Sequence, residues 1–157
     1  MAVPKSIQLA KGLWRGKSRL NLPWLPPEQR ITESNSDLRI DTDSQDKIAW
    51  ITYDWHHEGK REEGTIILCE NPKSNAIQLG WVDSWHQNKT VLHLLGDDSG
   101  TASVKAKGEY NLEGWGWTIE LLPTADTLSL KMENVTPAGE PTWAVEGAYL
   151  RNPPETY

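Results

Sequence analysis

The sequence predicts an all-β fold, a ten-stranded antiparallel up-and-down β-barrel. Segment after segment alternates apolar and polar residues with a period of two. Turn chemistry separates these segments roughly every 8–15 residues, the spacing of an antiparallel meander. No stretch beyond Gly12 holds a convincing helical period. An open sheet of this width curls, and closing it removes both edges, so a barrel is favoured over a sandwich.

The elements follow in order. Residues 1–10 read as a weakly amphipathic lead with room for one helical turn. In Leu13–Leu20, Trp14, Gly16, Ser18 and Leu20 share one face, and Arg15, Lys17 and Arg19 the other. Pro23, Pro26 and Pro27 forbid a central strand there, so Trp24 and Leu25 belong to a loop placed to cover an open barrel end. Strands are expected at 29–41, 47–57, 61–70, 76–85, 90–95, 101–110, 115–122, 127–135 and 141–151. Between them lie Ser44-Gln45-Asp46, Glu58-Gly59-Lys60, the turns at 71–75, 86–89 and 96–100, Asn111–Gly114, Pro123–Asp126 and Thr136–Glu140. A short Pro-containing tail ends the chain. The whole of 1–157 reads as one domain, large enough to bury a core without disulfides.

Composition narrows the partners. A net charge of −6 with scattered basic residues argues against nucleic acid; Lys11, Arg15, Lys17 and Arg19 are the wet face of a strand. The single cysteine, Cys69, sits in the apolar run Thr65–Cys69, where a buried inert thiol is expected. No apolar run approaches a membrane span, and residues 1–13 lack the apolar core of a signal peptide, so a cytoplasmic protein is expected. Asn134-Val135-Thr136 matches a glycosylation sequon, which carries no weight without a secretion signal. Nine Trp stand against no Phe. Each indole adds one N–H that needs an acceptor when buried, so the Trp-rich interior either supplies acceptors or opens to a pocket. A barrel of ten strands has an interior wider than side chains easily fill, and a ligand cavity inside it is expected.

Gly12-Leu13-Trp14 resembles the G-x-W signature of the calycin superfamily of lipocalins and fatty-acid-binding proteins. The resemblance implies that Arg151, near the end of the last strand, packs across Trp14 to close that barrel end. The pairing of Gly12, Trp14 and Gly16 with Trp81, Asp83 and Ser84 is more closely similar to a bacterial lipocalin-like family of unknown function that joins G-x-W-x-G to W-x-D-S. That similarity covers about residues 10 to 151. Nitrobindin has a similar barrel and start, with a haem-ligating His in its C-terminal part. No His follows His93 here, which argues against haem held in that manner.

The candidate site centres on Gly80–Trp85. Ile77, Leu79, Trp81, Asp83 and Trp85 share the inward face, and Ser84 points away from Asp83, so the two form no nucleophile–acid unit. An inward carboxylate needs partners. Two readings stay open: Asp83 orients a ligand, or Trp N–H groups and backbone satisfy it structurally. Trp50, Trp81, Trp115, Trp117 and Trp143 are expected wall residues, with His56, Asp83 and His93 as polar anchors. His56 and His57 point to opposite faces and cannot share a metal; only cross-strand register would bring His56, His93 and Asp83 together, and no metal site is assigned. No nucleophile elbow, P-loop or dinucleotide fingerprint is present, and no cofactor is indicated.

The expected function is binding of a small, mostly apolar molecule in the barrel, as a carrier or sensor. An acid–base enzyme using Asp54, His56 and Asp83 in the same cavity is one alternative. The other is an interaction module, or homodimer, presenting Trp24, Trp55 and the loop prolines.

Overall fold

A computed structural model describes residues 2–71, 76–97 and 102–152. A short helix, α1 (Lys5–Leu9), leads into β1 (Gly12–Asn21), and a single 3-10 turn at Pro27–Gln29 precedes β2 (Ile31–Thr42). Then follow β3 (Ile48–His57), β4 (Lys60–Asn71), β5 (Ala76–Asp83), β6 (Leu92–Asp97), β7 (Val104–Glu109), β8 (Gly116–Pro123), β9 (Thr127–Val135) and β10 (Pro141–Arg151). Each strand pairs antiparallel with its neighbours in sequence, and β1 pairs with β10 to close the barrel. The expected fold class is therefore the observed one, and this architecture is consistent with a calycin-like barrel. Parts of the turns expected at 71–75 and 96–100, and most of the tail, lie outside the described residues.

Alternation fills the barrel. Ile51, Tyr53 and Trp55 of β3, Ile66 and Leu68 of β4, Ile77, Leu79, Trp81 and Asp83 of β5, and Ile119 and Leu121 of β8 are buried. The interior is consequently a packed core rather than the open cavity expected from strand number. Beneath His86, the gap enclosed by Leu20, Tyr53, Trp55, Asp83 and Val145 has no room for a water. Two glycines permit this density. A Cβ at Gly64 would lie 2.2 Å from the Tyr53 ring, so Tyr53 lies across the space a side chain would fill. At Gly16 a Cβ would lie 1.9 Å from the Ala148 carbonyl oxygen, which gives the second glycine of G-x-W-x-G a steric cause.

One end of the barrel is sealed by α1. Val3, Ile7 and Ala10 are buried against the core, and the Trp14 indole N–H donates to the Ala10 carbonyl at 2.9 Å. The Arg151 guanidinium lies 4.3 Å from the centre of the Trp14 ring, the contact that the resemblance implies. It also donates to the carbonyls of Leu9, Lys11 and Ala125, tying the helix, the link into β1 and the β8–β9 turn together. A fixed, planar donor fork serves three acceptors on three segments.

Several residues expected inside are outside. Trp50 and His56 share the outer row of β3, because Ile51, Tyr53 and Trp55 take the inner row. His93 is exposed, with its Nε2 3.2 Å from Gln78 Oε1, because Leu92 and Leu94 take the inner row of β6. Asp54 turns outward to Arg61 at 3.0 Å. His56, His93 and Asp83 therefore do not converge, nor do Asp54, His56 and Asp83. Trp55 is buried rather than part of an exposed patch. Cys69 is half-buried on the outer row rather than sealed in the core, since Ile66 and Leu68 claim the interior.

Candidate functional site

The end opposite α1 is open. Its rim is built by the segments after β1 and β5 and before β8 and β10, and these bring six of the nine Trp to one place. A cavity of about 440 Å³ lies there, lined by Trp24, Trp81, Trp85, Trp115, Trp117 and Trp143 with His86, Tyr110, Asn21, Gln87, Asn134, Thr136 and Thr142. No Asp, Glu, Lys or Arg is among the described residues lining it.

Asp83 organises this end. Its side chain is wholly buried at the last position of β5. Oδ1 accepts the backbone N–H groups of Trp85 at 2.9 Å and Gln87 at 2.8 Å, and that of His86 between them. The Asp83 N–H in turn donates to the Gln87 carbonyl at 3.0 Å. This closed turn ends β5 two residues earlier than alternation predicts. Ser84, as expected, faces the other way: its hydroxyl donates to Glu62 and accepts the Glu63 N–H at 2.9 Å, clamping the turn to β4. Gln87 fixes the far side through Thr90 Oγ1 at 2.8 Å. No indole N–H reaches Asp83 among the described residues; its partners are three backbone N–H groups and one histidine.

That histidine is His86. Its Nδ1 lies 3.0 Å from Asp83 Oδ2. Its ring is packed among Trp85 at 4.6 Å, Trp117 at 5.4 Å and Trp55 at 5.8 Å between centroids. His86 thus forms the floor of the mouth and the lid over the core. Alternation assigned it to a polar turn, because strand-face arguments stop where the strand stops. The signal was present as Asp83 followed three residues later by His86, an acceptor at a strand end beside a ring nitrogen within reach.

The indoles divide by how their N–H groups are met. Trp81 stacks on Trp117 at 5.1 Å and donates to the Tyr53 hydroxyl at 2.8 Å. Burial, with the Asp83 charge adding to it, holds the Tyr53 phenol well above its ordinary ionisation range, so it stays a neutral hydroxyl. The N–H groups of Trp55 and Trp117 are buried without a partner among the described residues. Both rings flank His86.

Of the residues expected at the site, the structure gathers Trp81, Asp83, Trp115, Trp117 and Trp143 and leaves Trp50, His56 and His93 on the outer surface. Trp143 lines the cavity at its rim. A bulge between Trp143 and Val145 pairs Trp143 with outward Glu133 while Val145 pairs with inward Met132. Its ring sits under the Arg19 guanidinium at 5.6 Å. Trp24, exposed on the β1–β2 loop, stacks on Trp85 at 6.4 Å and does cover part of the opening.

Among the described residues no group of three His, Cys, Asp or Glu side chains converges as a metal site. Among the described residues no helix is long and apolar enough to cross a membrane. No protein-family model matches the chain, and no curated protein matches it.

Proposed function

We propose that this protein binds a small, flat, mostly apolar molecule at the tryptophan-lined mouth of the barrel, as a carrier or sensor. The observation that carries the reading is a cavity of about 440 Å³ walled by six Trp and free of charged lining residues, at the open end of an otherwise packed barrel. Its volume falls within the usual range for small-molecule sites, about 300–1,000 Å³, and so does its pattern of apolar walls with a few polar groups. The calycin resemblance supports the same reading.

Native mass spectrometry of the purified protein, followed by Trp-emission titration with a panel of apolar and aromatic compounds, tests it. A saturable emission change, weakened at least several-fold in Trp85→Ala, is expected. A panel that leaves emission unchanged overturns the carrier reading.

The Asp83–His86 pair favours acid–base catalysis in this mouth as a second reading, because a carboxylate-oriented imidazole at a cavity floor is the usual form of a general base. Turnover lost in His86→Phe while binding survives would select it. A homodimer through exposed Trp24 competes for the same rim, and light scattering on Trp24→Ser separates that use.

A further inference from the structure

The floor of the proposed binding site presents an imidazole nitrogen without a partner. His86 Nε2 has none among the described residues and is not sealed from solvent, and His86 lines the cavity. What it offers a ligand is set from beneath. Asp83 Oδ1 is committed to three backbone N–H groups, which only an acceptor satisfies. An ionised carboxylate has no proton to give, so at Oδ2 the hydrogen belongs to His86 Nδ1. In the neutral imidazole Nε2 then carries the lone pair, the tautomer being dictated by the partner of the other nitrogen.

Resting on the binding reading above, we infer that His86 Nε2 accepts a hydrogen bond from the ligand, and that the site selects flat aromatic molecules bearing a phenol-like O–H. The Trp faces take the ring; His86 takes the hydroxyl hydrogen. A ligand of the same shape with an ether oxygen in place of the hydroxyl sets acceptor against acceptor. Asp83 is a positioning residue in this scheme: it touches His86 and the backbone, and the ligand meets only its consequence.

Calorimetric titration with 2-naphthol and 2-methoxynaphthalene in a mildly alkaline buffer tests the inference. Wild-type protein should bind the naphthol about 3- to 10-fold more tightly, the worth of one hydrogen bond. His86→Phe, which keeps a flat ring among the indoles, should bind both alike. Asp83→Asn separates positioning from simple packing. Its carbonyl can replace Oδ1 on the three backbone N–H groups, which puts its NH2 opposite Nδ1 and turns His86 Nε2 into a donor; the naphthol preference should vanish or reverse. Equal affinities in the wild type, or a naphthol preference that survives in either variant, overturn the inference while leaving the binding reading standing. Failure of both probes to bind the wild type counts against the site itself.

Discussion

Asp83→Ala is the sharpest test of how the open end is held. The wild-type carboxylate is fully buried and serves three backbone N–H groups and one imidazole nitrogen. Truncation leaves those donors facing a half-buried turn. Hydrogen bonds to charged groups contribute about 1.5–3 kcal/mol each, and they are not additive here because water will reach some of the freed N–H groups. Losing the equivalent of two gives about 3–5 kcal/mol. With a urea slope of about 1–3 kcal/mol/M for a domain of this size, the midpoint should fall by about 2 M. Asp83→Asn keeps an acceptor for the backbone and should lose about 1 kcal/mol, a shift near 0.5 M. Urea unfolding followed by Trp emission and by far-UV circular dichroism measures both variants. A midpoint for Asp83→Ala within about 0.3 M of wild type would mean that Asp83 does not hold the turn, and the tautomer argument would lose its footing.

Three further outcomes are expected. At the sealed end, Arg151→Ala removes a cation–π contact and three hydrogen bonds to carbonyls, and should cost about 2–3 kcal/mol, lowering the melting temperature by about 4–10 °C; Arg151→Lys should recover less than half of that in a calorimetric scan. Trp81→Phe strands the Tyr53 hydroxyl without its indole donor, whereas Trp117→Phe removes an N–H that has no partner, so Trp81→Phe should be the more destabilising by about 1 kcal/mol in the same urea assay. Burial raises the Tyr149 phenol to about 12, against an ordinary value near 10. Between those values the unfolded chain has released a proton that the folded chain keeps, so stability is fully present below pH 10 and falls as pH rises towards 12, by roughly 3 kcal/mol for this group. Urea midpoints from pH 9 to 12 should show that fall, and Tyr149→Phe should reduce it without abolishing it, because burial also raises the Tyr53 phenol.

How much was legible in the sequence depended on whether a residue lay within a strand. Alternation placed Trp14, Ser18, Leu20, Trp81 and Asp83 inward, and turn chemistry located the ten strands to within a few residues, because both are local properties of the chain. It erred where apolar residues occupied both rows. Trp50, His93 and Cys69 sit next to better-buried neighbours, and composition cannot say which row of a locally apolar strand faces in until the cross-strand register is known. Beyond strand ends it had no purchase. His86, Gln87 and Trp115 are positioned by Asx-type turns at Asp83 and Asn111, and the bulge that re-aims Trp143 is a property of the β9–β10 pairing. The sheet was readable; at the mouth Trp24, Trp81, Trp115, Trp117 and Trp143 were expected, and His86 and Gln87 were not.

That division has a physical cause that also bears on where function can reside. A packed barrel interior fixes each inward side chain through several neighbours, so a ligand there would have to displace core. The segments after β1 and β5 and before β8 and β10 are free of that constraint, yet fastened to the sheet through Asp83, Ser84 and Asn111. Rigid loops over a rigid scaffold are the usual carriers of recognition. The indole N–H groups follow the same line. Trp14 at the sealed end and Trp81 at the core's edge are each met by a protein acceptor, while Trp55 and Trp117, which flank His86, are not. Buried donors without partners are rare in a finished core. Among the described residues two of the three side-chain atoms so left flank one histidine at the open end, the third being Ser6 Oγ on α1, and that pairing argues that this end is shaped by demands other than stability.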